Sequence, residues 1–440
     1  MSTGTESASS DSRPQTLTAS EAQDWRPLGG KPKSLNYLDS PEPSPRVASF
    51  AERDVFTVSV TGDTHDEPPD TAGTRRPSII IDHYLSATPT DGRPRTPLSP
   101  ASSSSPSPLS PAPRYPGWLS AVVAPLKSFI NDQVDPRDLY ADLREIAEGE
   151  SGSVFAARVL GAPASAEKQQ SSCFVAIKNV PILPSGSPKI DDLRRELTLM
   201  KGVSHVHILT MDELYVDLVE DSLWICMDLM ERSLADIIAY ADEGVMFHEK
   251  SIARVAGDVL HALDYLQTKG IAHRDLRSDN LLVNLEGVVK LADFSSAVQV
   301  SRKNPIRSEL AGVAYWQAPE IRSGSYNALK VDVWSLGATI WELAQAEPPF
   351  SDIADPREFG DELPALSQPE IYSRSFHDFL HLCSKPSSSR PDPHELLSTP
   401  FIRNPSGRQA IAELLADCRA IEERMSRRQS ADSTGTVSRS

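Results

Sequence analysis

The sequence predicts an α+β chain of two lobes, a small sheet-rich lobe followed by a larger helical one, behind a disordered N-terminal tail. Three observations carry this. Strand-like segments come first in the folded part and helix-like segments afterwards. One helical segment, VDVWSLGATIWELA, is apolar on nearly every face, as a helix enclosed by a large core must be. Residues 1–117 are dominated by Ser, Thr, Pro, Asp and Gly and cannot bury enough apolar surface to offset the entropy of ordering.

Composition narrows the function classes. Hydrophobic residues make up 39% of the 440 and there are 36 prolines, so a normal domain must sit beside a segment without a core, packed chains running at about 45–50% apolar. The net charge of −17 argues against a general nucleic-acid or anionic-membrane binder, since both reward positive charge. Basic partners or substrates suit it better. Cys173, Cys226, Cys383 and Cys418 are far apart, with no CxxC or Cys/His spacing. That reads as reduced thiols rather than a disulfide framework or a zinc site. MSTGTESASS lacks a basic region and an apolar run, and no stretch approaches the ~18 apolar residues of a membrane span. The expectation is an intracellular, cytoplasmic protein.

Along the chain, PLSPASSSSPSPLSPAPRYP is the extreme of the tail, and VFTVSV and SIIIDHYL are short apolar islands within it. Ser99, Ser105, Ser107, Ser110, Thr88 and Thr96 each precede Pro, sites suited to proline-directed kinases, and the PxxP spacing suits SH3 partners. Residues 118–137, WLSAVVAPLKSFI onward, form an apolar lead-in. SCFVAIKNV is a β-branched run and reads as a strand. GAPASAEKQQSS before it reads as an insertion between strands that tolerates changes of length. KIDDLRRELTLMKG has Ile190, Leu193, Leu197 and Met200 at helical spacing. SIARVAGDVLHALDYLQTKG sets Ile252, Val255, Val259, Leu263 and Leu266 on one stripe and stops at Gly270. Ile411, Leu414, Leu415, Cys418 and Ile421 give a further helix near the C-terminus, expected to dissolve into SRRQSADSTGTVSRS.

Chemistry enters with IAEGESGSV, where Gly149 and Gly152 before Val154 let backbone N–H groups approach phosphate oxygens without a Cβ in the way. FVAIK ends at Lys178, and Glu196 follows in the next helix, a cation and anion able to aim an ammonium at phosphates. IAHRDLRSDNLLV then supplies His273, Arg274, Asp275 and Asn280, and VKLADFS supplies Asp293. Asp275 is placed to accept the proton of an incoming hydroxyl. Asn280 and Asp293 offer oxygen ligands for a hard cation such as Mg2+. YWQAPE ends at Glu320, followed by Asp332 and by Arg390 in SSSRP.

In this order and spacing these motifs resemble a eukaryotic protein kinase over residues 138–402. DPRDLYADLREIAEGESGSVF, HRDLRSDN, YWQAPE, KVDVWSLGATIWELAQAEPPF and LLSTPFI resemble the PAK-like branch of the STE group of serine/threonine kinases. The resemblance implies a bilobal protein kinase fold, ATP and Mg2+ as cofactors, and protein substrates. It implies a nucleotide site from Ile146, Gly149, Gly152, Val154, Ala176, Lys178, Met227, Asp228, Met230 and Leu282, with Met227 as gatekeeper and Asp228 to Met230 as hinge. Lys178 would pair with Glu196, Asp275 would be the base with Arg277 beside it, and Glu320 would pair with Arg390. Residues 403–440 would be a C-terminal helix and a disordered tail. No CRIB-like small-GTPase motif stands in the tail, so such regulation is not implied.

Four positions depart from the family pattern: Ala147 for a loop glycine, Arg277 for the catalytic-loop lysine, Ser295 for the DFG glycine, and Val313 for the threonine after Gly312. They support a rival reading, a pseudokinase that binds ATP as a signalling scaffold. A tyrosine-specific reading draws on Arg277 and Val313, and the STE-like flanks argue against it. Asp279 sits where basophilic relatives carry an acidic residue, so an upstream-arginine preference is expected, with Ser78 in RRPS and Ser430 in RRQS as candidate sites of the chain's own. Counting back from Gly312, Glu309 takes the place of the relatives' phosphorylated Thr. A carboxylate there is expected to reach Arg274 unmodified, with Ser308 beside it as a phosphorylation site.

Overall fold

The computed structural model describes Tyr115 and residues 117–149, 152–161, 173–184 and 188–435. The Ser/Pro-rich tail with its Ser-Pro sites, the two apolar islands, Ser78 and the insertion at 162–172 lie outside the described residues, as does the side chain of Ser430.

The first lobe opens with helix α1 (Trp118–Val123), a 3-10 turn (Ala124–Leu126) and the short α2 (Pro136–Leu139). Strands β1 (Tyr140–Gly149), β2 (Gly152–Val159) and β3 (Phe174–Pro181) follow, then helix α3 (Pro188–Met200) and strands β4 (Glu213–Asp217) and β5 (Ser222–Asp228). The five strands form one antiparallel sheet in the order β1-β2-β3-β5-β4. The lead-in is part of this lobe. Leu119, Val123 and Leu126, each 2% exposed or less, pack with Ile190 and Leu197 of α3 and with Leu214 and Ile225 of the sheet. Arg137 closes the corner, its Nε and Nη2 donating to the two Asp217 oxygens at 2.6 and 2.7 Å while its guanidinium lies over Trp224.

The second lobe begins at β6 (Arg232–Ser233) and α4 (Leu234–Ile238), whose Ser233 and Asp236 cap one another's backbone. Helix α5 (Glu249–Thr268) buries the predicted stripe: Ile252, Val255, Val259, Leu263 and Leu266 are at most 3% exposed. It ends as its glycine requires, Gly270 taking φ 70° where a Cβ would meet Val300 O at 2.3 Å. Strands β7 (Ile271–Ala272), β8 (Leu281–Val283), β9 (Val289–Leu291), β10 (Val298–Gln299) and β11 (Ile306–Arg307) come next. Then follow α6 (Pro319–Arg322), β12 (Tyr326–Asn327), α7 (Ala328–Gln345), α8 (Arg374–Cys383), α9 (Pro393–Leu396) and α10 (Gln409–Gly435). Helix α7 is the all-round apolar segment, and every residue from Val331 to Ala344 is buried.

The C-terminal end differs from expectation. Ile411, Leu415, Cys418 and Ile421 of α10 belong to the main helical core at 3% exposure or less, so the folded unit does not stop at residue 402. Burying each side chain of that size stabilises by roughly 1.5–3 kcal/mol, which explains why the helix docks. It also runs through Gly435, past the point where the sequence loses its apolar stripe, with an exposed Glu423–Arg427 pair one turn apart at 3.0 Å.

Candidate active site

Strand register assembles one wall of the cleft. Gly149 pairs with Gly152 at the β1–β2 tip, Val154 stands opposite Lys178, and Ala176 opposite Met227. Alternation along β3 then puts Ala176 and Lys178 on one face. Gly152 has no substitute: at φ 129° a Cβ would sit 2.0 Å from Asn179 O. Ile146, Val154, Lys178, Met227, Met230 and Leu282 are half-buried, and Ala176 is buried. Leu282 on β8 pairs with Ser233 just beyond the hinge. Asp228, the first residue of the expected hinge, is ion-paired with Lys290 of β9. Lys178 sits on β3 and Glu196 on α3.

The catalytic loop hangs from α7. The carboxylate of Asp332, 6% exposed, accepts the N–H groups of His273 at 2.8 Å and Arg274 at 2.7 Å. Burial pushes the Asp332 carboxyl above the usual carboxylate range against those two bonds. The same bonds fix Arg274 at φ 67°, a left-handed conformation uncommon for arginine. His273 Nδ1 accepts the Asp275 N–H at 3.3 Å, so Nε2 carries the ring hydrogen, donated to Ala292 O at 3.0 Å. The Phe294 ring packs edge-on against the imidazole at 4.8 Å.

The residues expected to act are together. Asn280 Nδ2 donates to Asp275 O at 2.8 Å and to Asp275 Oδ2 at 3.1 Å. The amide nitrogen is thereby spent on Asp275, leaving the carbonyl oxygen of Asn280 for a cation. Asp293 is exposed, at φ 62°, its Oδ1 accepting the Ser295 N–H at 3.2 Å. The Ala292 N–H donates to Asn280 O at 2.8 Å and joins the two ligand segments. Arg277 Nε lies 3.6 Å from Asp275 Oδ1, with its guanidinium over the Trp316 ring. Arg277 Nη1 also donates to Asp279 Oδ2 at 2.8 Å. Asp279 is 6% exposed, buried on Arg277 and not presented as the free carboxylate that an upstream arginine would need.

Gly312 of the loop before α6 presses on this centre. At φ 79°, an added Cβ would meet Arg274 O at 2.4 Å and Asp275 Oδ1 at 3.3 Å. Gln317 braces the same turn, its amide donating to Ala311 O at 2.8 Å and Gly312 O at 2.9 Å. Arg274 donates through Nε to Ser296 O at 2.8 Å and through Nη1 to Tyr326 Oη at 3.0 Å, and Nη1 lies 3.7 Å from Glu309. Tyr326 Oη in turn donates to Glu309 O at 2.7 Å. Glu320 and Arg390 form the expected pair at 2.5 and 3.1 Å, with Arg390 buried over Trp334.

Sequence reasoning missed three of these residues. Tyr326 and Gln317 carried no signal of their own. Glu342 did: it is a carboxylate inside an otherwise apolar helix. It accepts Ser278 Oγ at 2.7 Å and Trp316 Nε1 at 2.8 Å, tying the catalytic loop to the segment before α6. Burial, and then the neighbouring Asp279 carboxylate, push the Glu342 carboxyl up to about 8.

Comparison with known proteins agrees with this geometry. Residues 140–402 match the family described as "Protein kinase domain". The serine/threonine-protein kinase CST20 of Candida albicans is 36% identical over 287 residues, 64% of this chain and 22% of that protein. The serine/threonine-protein kinase STE20 of Saccharomyces cerevisiae is 34% identical over 275 residues, 61% of this chain and 27% of that protein. The serine/threonine-protein kinase pakC of Dictyostelium discoideum is 34% identical over 274 residues, 61% of this chain and 54% of that protein. The chain thus spans only part of the length of these relatives. With the family matched over more than half of its residues, the chain belongs to the protein kinase domain family.

Proposed function

We propose that the chain is an ATP- and Mg2+-dependent protein kinase that phosphorylates Ser or Thr of other proteins in an intracellular, cytoplasmic signalling cascade. The observation that carries this reading is the arrangement of Asp275, with Asn280 donating to one of its carboxylate oxygens and Arg277 beside the other. The named relatives, all serine/threonine-protein kinases, support the acceptor class. Among the described residues no helix is long and apolar enough to cross a membrane.

The residues fit the groups this reading needs. At the Gly149–Gly152 tip neither glycine carries a Cβ that would keep phosphate oxygens from the backbone N–H groups. Asn280 and Asp293 offer two oxygen donors, a set that suits a hard cation completing its shell with phosphate and water. Bound Mg2+ would supply charge neutralisation at the phosphate oxygens. This chain's own part is positioning and proton transfer. Asp275 Oδ takes the hydroxyl proton of the acceptor as it attacks. Arg277 and Asn280 keep that carboxylate in one rotamer, and Lys178 holds phosphate oxygens on the opposite wall. An arginine upstream of the acceptor would have to displace Arg277 from Asp279 to be recognised there.

The test is phosphate transfer from labelled ATP to Ser-, Thr- and Tyr-containing peptides by the full chain and by Asp275→Asn. Transfer to Ser or Thr that the variant abolishes supports the reading. Equal background signal from both proteins overturns it.

A further inference from the structure

The strongest polar cluster outside the active site joins the C-terminal helix to the end of the hinge. Arg232 has a side chain only 1% exposed, and its Nη1 and Nη2 donate to the two oxygens of Glu422 on α10 at 3.0 and 3.3 Å. Tyr240 Oη donates to the same Glu422 Oε1 at 2.7 Å. One residue before Arg232, the fully buried Glu231 lies 3.6 Å from Arg419 Nη1, one turn back on α10. Apolar Ile411, Leu415, Cys418 and Ile421 seat the helix, so these charges meet out of water.

The place of this cluster gives it a role. Glu231 and Arg232 directly follow the hinge residues 228–230, and Arg232 pairs with Val283 and Ser233 with Leu282. The Glu231 N–H donates to Val283 O at 2.8 Å. Leu282 stands opposite Lys290, which holds Asp228 at the other end of the hinge. The hinge is therefore pinned at its start from β9 and at its end from a helix outside the family match at 140–402. A buried guanidinium with a bidentate carboxylate has one good geometry, so whatever moves Glu422 moves the backbone that frames the pocket at Leu282.

We infer that α10 is a latch for the nucleotide cleft, with Glu422 and Arg232 as positioning residues for ATP binding. This rests on the kinase reading. With the latch disturbed, nucleotide binding weakens while phosphoryl transfer from the bound state is largely retained, because Asp275 hangs from α7 and not from α10.

The experiment compares full-length wild type, Glu422→Gln and Tyr240→Phe. ADP binding is measured by calorimetry without peptide, and KM for ATP, KM for peptide and kcat by steady-state assay. Glu422→Gln keeps the shape and removes the charge that answers Arg232. The latch requires weaker ADP binding and a raised KM for ATP by roughly threefold or more, with kcat and peptide KM close to wild type. Tyr240→Phe should move the same two quantities in the same direction by less. If Glu422→Gln does not fold, Tyr240→Phe decides alone by that criterion. Unchanged ADP binding in a variant that is merely less heat-stable overturns the latch and leaves the kinase reading intact. A wild type that binds no nucleotide overturns both.

Discussion

Arg274 Nη1 and the Glu309 carboxylate stand 3.7 Å apart, with Tyr326 bonded to both residues. The contact is asymmetric: the Glu309 side chain is 65% exposed and that of Arg274 only 12%. Its own backbone N–H, the Ser308 N–H and then the Arg274 and Arg307 guanidinium groups hold the Glu309 carboxyl below the usual carboxylate range. Glu309 therefore favours its anionic form beside Arg274, at the position expected from the family resemblance to carry a phosphorylated residue. One carboxylate in solvent is a weaker ligand than a phosphate, so Tyr326 and Ser296 must share the work of holding Arg274.

Enzyme treated with phosphatase is accordingly expected to retain activity. Glu309→Ala should lose part of kcat/KM, and Ser308→Ala should lose less. The Glu309 contribution should shrink as salt rises, being exposed to screening. Activity abolished by phosphatase, or a silent Glu309→Ala, would refute built-in activation.

Gly312→Ala is expected to cripple transfer. Its left-handed backbone costs a non-glycine residue ~1–3 kcal/mol, and the new Cβ would collide with Arg274 O at 2.4 Å. Displacing that carbonyl moves the base with it. A drop in kcat of about tenfold or more with ADP affinity unchanged is the expected pattern, read by steady-state kinetics beside calorimetry.

Arg390→Ala is expected to destabilise the second lobe. It would strand Glu320 and leave Lys330 O and Lys385 O without their donor. Removing one partner of a buried pair costs roughly 3–5 kcal/mol, a loss that urea denaturation of the full chain would register.

Glu342 makes stability depend on pH in a predictable direction. Its carboxyl lies above the ordinary value of 4.5, at about 8 in the fold, so the folded state holds the proton more tightly than the unfolded one. Its contribution is complete below pH 4.5 and is lost as pH rises through about 8. Glu342→Gln, a neutral isostere, should differ least from wild type near pH 4.5 and should gain over it steadily as pH rises, unfolding at a clearly higher temperature than wild type near pH 9. Parallel melting curves across that range would show that Glu342 does not titrate there.

Much of this architecture was legible in the chain because it repeats or alternates. The α5 stripe, the all-apolar α7 and the β3 run follow from hydrophobic period, and Asp275, Asn280 and Asp293 from fixed spacing. Glu309 could be placed opposite Arg274 by counting from Gly312. The rest depends on long-range partners. Asp279 was expected to face a substrate, yet Arg277, two residues away, is long enough to turn back and take it. Tyr326 reaches Arg274 across 52 residues of sequence, and Glu422 reaches Arg232 across 190. No local pattern encodes such pairs.

Helices α1 and α10 both lie outside the stretch that carries the family signature, and both are built into cores. Where the chain is cut therefore matters for anyone preparing it. A fragment trimmed to 140–402 would uncover Ile190, Leu197 and Leu214 where Leu119, Val123 and Leu126 now rest, and would leave Arg232 facing an emptied groove. Such a fragment should precipitate or associate, whereas one running from Gly117 to Arg428 keeps both seams closed and is the piece suited to crystallisation.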